Sequence, residues 1–129
     1  MEVNQMKMYE VLELQTLYNS IADTKLPLKT TYKFARLMKR AEEEIIFYQE
    51  KFREIVEEYG VKENGEYKIT PDGQSIVIIP GKEIECNNKL AELRNLDVLI
   101  DGIKFTIDEL EGINVSISEL SCLISLIED

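Results

Sequence analysis

From Phe34 to Gly60 the chain reads FARLMKRAEEEIIFYQEKFREIVEEYG, and the spacing of its apolar positions decides the fold. Phe34, Met38, Ala41, Ile45, Tyr48, Phe52, Ile55 and Tyr59 follow one another in alternating steps of four and three, the repeat of a heptad seam along one long helix. Gly60 follows the last of them as a natural C-cap. Such a seam is the line on which a helix packs, against its own domain or against another chain.

Working outward, residues 6–22 place Met8, Val11, Leu12, Leu14, Leu17, Tyr18 and Ile21 at helical spacing, ended by Asp23 and by Pro27 beyond it. This predicts a first helix forming a helical hairpin with the long one. Residues 1–5 alternate weakly, as a short edge strand does. After Gly60, the Asn64-Gly65 and Pro71-Asp72-Gly73 turns bracket two β-rich runs, residues 66–70 and 75–79, which read as a hairpin. Residues 82–96 return to a helical pattern, and residues 98–105, split by Asp101-Gly102, suggest a short strand pair. Ser116 and Glu119 form a capping box ahead of Leu120, Leu123, Ile124 and Ile127, which predicts a short C-terminal helix. The expected fold class is α+β: a helical hairpin with one long helix, a small antiparallel hairpin or sheet and a short C-terminal helix, in a single domain over residues 1–129.

Composition narrows the functions open to such a chain. It holds 129 residues, 44% apolar and 31% charged, with no apolar run long enough to span a bilayer and no leader-like start, so a cytoplasmic protein away from membranes is expected. Cys86 and Cys122 lack CxxC spacing and read as reduced core thiols. There is no histidine, which removes the commonest general base and most zinc sites. Phosphate-cradling glycine loops are absent too. The expectation is therefore a protein that is not an enzyme, with no cofactor and no metal.

The charge is segregated. The chain carries 15 basic and 25 acidic side chains, and six of the basic ones fall in residues 25–40, where there is no acid. A net charge of −10 argues against duplex nucleic acid as a partner, since such binding needs many phosphate contacts. A small anion needs only a local patch. On the long helix Lys29, Lys33, Arg36 and Arg40 lie on the face opposite the seam, and Glu43, Glu50, Glu54 and Glu58 continue that face with reversed sign. A helix favours acids in its first turn and bases in its last. This one is charged the other way round, so local stability does not explain the order. Three readings follow: a solvated face, a self-assembly surface, or an anion site at a helix start. In the third, Lys29, Lys33, Arg36 and Arg40 would neutralise phosphates, Thr30 or Thr31 would hydrogen-bond, and Tyr32 would stack on a base.

The run Leu26-Pro27-Leu28-Lys29-Thr30-Thr31-Tyr32, the charged helix reaching Glu58-Tyr59-Gly60, and the closing Ile107-Asp108-Glu109-Leu110 and Ile117-Ser118-Glu119-Leu120 resemble a family of short phage proteins of unknown function. These occur mainly in phages and prophages of Gram-positive bacteria. The resemblance implies expression inside an infected bacterial host and carries over no catalytic residue. It favours a homo-oligomeric accessory protein that counters host antiviral defence by sequestering a nucleotide-derived immune signal. The alternative is a protein–protein module, either an inhibitor of a host defence protein or a virion-assembly adaptor.

Overall fold

The computed structural model describes residues 3–128, and the architecture is α+β. In chain order it contains β1 (Val3–Lys7), α1 (Met8–Ile21), α2 (Leu28–Tyr59), β2 (Lys62–Glu63), β3 (Glu66–Tyr67), α3 (Glu83–Arg94), β4 (Asp97–Asp101) and α4 (Ile117–Ser121), with 3-10 turns at Asp108–Leu110 and Ile124–Leu126. The chain divides into two compact units. One comprises Met1–Ile46 with Leu96–Asp129, the other Phe47–Asn95, and the residues of α2 are shared between them.

In the first unit β1 pairs antiparallel with β4, placing Met6 opposite Val98 and Gln5 opposite Leu99. Asn4, Met6, Val98 and Ile100 are buried while Gln5 and Leu99 are exposed, the period-two pattern of strands covered on one face. The buried Asn4 amide donates to the Ile103 carbonyl at 3.0 Å, so this polar group enters the core with a partner. The Lys7 backbone N–H donates to Glu10 Oε1 at 2.9 Å at the start of α1, whose Met8, Val11, Leu14, Leu17 and Ile21 are all buried. Phe34, Leu37, Ala41 and Ile45 of α2 are buried as well, together with Ile103, Phe105, Cys122, Leu123 and Leu126.

The N-terminal strand begins at Val3, and the expected residues Met1 and Glu2 lie outside the described residues. Residues 98–105 do not form a strand pair: β4 finds its partner in β1, because only there do Val98 and Ile100 share a buried face with Met6. The following segment turns inward at Phe105, which bridges Ile127 in parallel. The short C-terminal helix starts as its capping box requires, with Glu119 N–H donating to Ser116 Oγ at 3.1 Å and Ser116 N–H donating to Glu119 Oε1 at 3.1 Å.

The second unit has a thin core, with Tyr59, Cys86 and Leu93 buried. Its strands β2 and β3 pair across Asn64-Gly65, both with positive φ. The expected pairing of residues 66–70 with 75–79 is present as a bridge between Ile69 and Ile76, flanked by Thr70 N–H to Ser75 O and Val77 N–H to Lys68 O, each 2.8 Å. A cleft of about 440 Å³ opens beside this meander, lined by Phe52, Val56, Ile69, Ile76, Ile78 and Leu90. Both cysteines are free and buried, and burial pushes the Cys122 thiol up to about 12. Among the described residues no helix is long and apolar enough to cross a membrane.

Candidate functional site

The first turns of α2 hold all seven of the residues that the sequence singles out, and the structure sorts six of them into two groups, with Thr31 bonded to the preceding loop. Pro27 precedes the helix, where its missing N–H costs nothing, and its carbonyl accepts from Thr31 N–H at 3.0 Å. Thr31 Oγ1 donates to the Leu26 carbonyl at 3.3 Å, which ties the helix start to the preceding loop.

Thr30, Lys33 and Arg40 turn toward their own fold. Thr30 is only 2% exposed and its hydroxyl donates to the Glu109 carbonyl at 3.2 Å. Lys33 Nζ donates to the Lys104 carbonyl at 2.7 Å and to Glu109 Oε1 at 2.8 Å, and sits 5.7 Å from the centroid of the Phe105 ring. Arg40 reaches Glu44 Oε1 at 2.8 Å, Glu43 Oε2 at 3.4 Å and the Leu99 carbonyl at 2.9 Å. The expectation that the whole basic stripe faces away from the core is therefore corrected for Lys33 and Arg40. At roughly 100° per residue these two flank the buried line through Phe34, Leu37 and Ala41, and their flexible stems fold over its edge.

Lys29, Tyr32 and Arg36 remain outward. Tyr32 is 61% exposed, and the Arg36 guanidinium carbon lies 5.9 Å from its ring centroid. With Lys39, also exposed, they form a continuous strip at steps of three, four and three along α2. The seven residues thus do not converge on one ligand-sized volume. Thr31 lines a small pocket of about 90 Å³ with Tyr18, Ile21, Leu26 and Phe34. Lys39 lines a cleft of about 360 Å³ with Gln15, Tyr18, Asn19 and Met38. Neither these two nor the apolar cleft of the second unit takes Lys29, Tyr32 or Arg36 into its wall.

The residue that organises the inward group is Glu109. Its Oε1 accepts from Lys33 Nζ and, at 2.9 Å, from Thr106 N–H, while its own N–H donates to Thr106 Oγ1 at 3.2 Å. Thr106-x-x-Glu109 has the same reciprocal spacing as Ser116-x-x-Glu119, so the signal was in the sequence, obscured by the brevity of the turn it caps. The Lys33 ammonium beside it, then the Thr106 N–H and the charge of Lys29, hold the Glu109 carboxyl below the usual carboxylate range. A carboxylate depressed in the folded state contributes stability above its unfolded pKa, and that contribution is lost as pH falls through the folded value. Glu109→Gln should therefore be less stable than the wild type at pH 6, with the gap narrowing as pH drops below 4.5, the ordinary glutamate value. Urea midpoints at pH 6 and pH 3 check this; a gap of constant size would mean that the carboxylate charge is irrelevant.

Chemically, the inward cluster is a closed lysine–carboxylate tie, and the outward strip is a cationic surface with an aromatic ring in its middle. Among the described residues no group of three or more His, Cys, Asp or Glu is placed to hold a metal ion. Comparison with family models, with curated proteins and with solved structures finds no match to this chain.

Proposed function

We propose that this protein is a non-enzymatic binding module that docks on an anionic partner surface through Lys29, Tyr32, Arg36 and Lys39. The observation that carries this is the sorting of the cations. Lys33 and Arg40 are tied to the fold, whereas exposed Lys29 and Lys39 present their charge on the helix face that carries Tyr32, 61% exposed. An acidic protein surface suits an outward helix face best, because a small ligand is ordinarily held in a cleft that buries most of it. The resemblance to short phage proteins would set this docking in an infected host, as an inhibitor of a defence protein or an assembly adaptor.

A second reading is favoured by the geometry of one pair. Arg36 stacked near Tyr32 offers a base-sized platform beside a cation, which supports sequestration of a phosphate-bearing nucleotide signal. One experiment separates the two. Immobilised wild-type protein and the Lys29→Glu/Arg36→Glu/Lys39→Glu variant are incubated with infected-host lysate, and calorimetry is run with cyclic and ADP-ribose-type nucleotides. Docking on protein predicts one stoichiometric acidic species, captured only by the wild type and released as salt rises. Heat with a nucleotide but no captured protein would favour sequestration. Identical behaviour of wild type and variant in both assays would remove the strip from function altogether.

A further inference from the structure

We infer that residues 75–79 of the second unit pair edge to edge with the same segment of a second copy of the chain, antiparallel and centred on Val77. This surface uses none of the residues of the α2 strip and does not depend on its reading. One edge of the segment is occupied within the unit. Val77 N–H donates to the Lys68 carbonyl and Ile79 N–H to the Tyr59 carbonyl, each at 2.8 Å, while the Ser75 and Val77 carbonyls accept from Thr70 N–H at 2.8 Å and Val61 N–H at 2.9 Å. Extended backbone alternates, so the N–H and C=O groups of Ile76 and Ile78 point to the other edge. Among the described residues those groups make no hydrogen bond.

The sequence of the segment fits this edge to its own copy. Ser75-Ile76-Val77-Ile78-Ile79 is β-branched after the serine and uncharged, whereas edge strands are ordinarily guarded by a charge, a proline or a bulge within them. With Val77 on the two-fold axis, Ile76 stands opposite the second copy's Ile78, and each N–H donates to the other's carbonyl. The groups left unpaired on both chains are then satisfied together, as an isologous contact requires. Residues 73–81 carry no charge, so no like charges oppose each other across the axis. A foreign strand added here would bring a free edge of its own; a second copy brings none, because its other edge is already paired. Ile76 and Ile78 also line the cleft of about 440 Å³, and the pairing sets the second copy's Ile78 and Ile76 beside them on the same face, extending its apolar wall.

The test uses two variants of the full chain at Ser75 and Ile79, both exposed and facing each other across the axis. Ser75→Lys/Ile79→Lys opposes like charges, and Ser75→Lys/Ile79→Glu opposes unlike ones. By analytical ultracentrifugation over a concentration series, the wild type and the second variant should sediment as dimers. The first should sediment as a monomer with unchanged helical circular dichroism. Amide hydrogen exchange in the wild type should slow at Ile76 and Ile78 as concentration rises, while Val77, bonded within the unit, is slow throughout. If the first variant does not fold, the exchange measurement decides alone. A monomeric wild type, a dimer that the first variant retains, or exchange at Ile76 and Ile78 that ignores concentration overturns the inference. Protection of these two amides in a monomer by an uncharged, valine-rich synthetic peptide would give the edge to a foreign strand, and the inference would fail.

Discussion

Phe105→Ala should lower the unfolding free energy by about 3–5 kcal/mol, the cost of emptying a buried aromatic site. The total stability of such a domain is on the order of 5–15 kcal/mol, so the loss is a large part of it. Phe105 is fully buried, its ring centroid lies 4.6 Å from that of Phe34, and Lys33 reaches over it from α2. Its backbone is held as well, with N–H donating to the Leu126 carbonyl at 2.7 Å and its carbonyl accepting from Glu128 N–H at 2.8 Å. Removing the ring opens a space between the first turns of α2 and the C-terminal segment, and neither wall is free to close it. Urea unfolding should show a lower midpoint with an unchanged slope. Ile107→Ala is the control: it lies two residues away, is 61% exposed, and should change stability by no more than about 0.5 kcal/mol. Equal effects at the two positions would show that the Phe34–Phe105 contact does not anchor this core.

Gly60→Asn should destabilise the second unit far more than Gly65→Asn, although both glycines look like turn punctuation in the sequence. A Cβ at Gly60 would stand 2.7 Å from the Val56 carbonyl oxygen and 2.9 Å from Tyr67 Cδ1. The first of these atoms is helix backbone and does not give way, so the change overpacks the end of α2 at about 1–3 kcal/mol or more. At Gly65 a Cβ meets nothing within 4 Å, and the constraint is φ of +81°, which Asn tolerates better than other side chains. Thermal melting of the two variants, with near-ultraviolet circular dichroism to follow the tyrosines, distinguishes them. A similar small loss at both sites would mean that Tyr67 and the helix end can part without cost.

The Gly60 case also shows how far the sequence was legible. The position of the helix stop was readable from Tyr59-Gly60, but the reason was not the left-handed C-cap that a glycine there suggests. Gly60 is absent from the positive-φ residues, and its N–H still donates to Val56 O at 2.7 Å. What excludes a side chain is the Val56 carbonyl oxygen one turn back together with Tyr67, which the Asn64-Gly65 turn returns to the helix end. In the same way the heptad seam identified α2, yet Leu37, which is not on the seam, is fully buried while Met38, which is, is only half-buried. Phe52, also on that seam, stays exposed.

Periodicity and end signals are local properties, carried by residues within one or two turns of each other. They were enough to specify α1, α2, α3 and α4, the hairpin turns and the segregation of charge. Pairings between distant segments are not written locally. Lys7 meets Asp97 at 2.6 Å only because β1 and β4 are adjacent in the fold, and nothing near either residue announces the other. The division of the basic island was decided at that level too. Lys33 and Arg40 differ from Lys29 by their angle around α2 and by the carbonyls of Lys104 and Leu99 within reach, and a long side chain adopts the acceptor that tertiary structure places beside it.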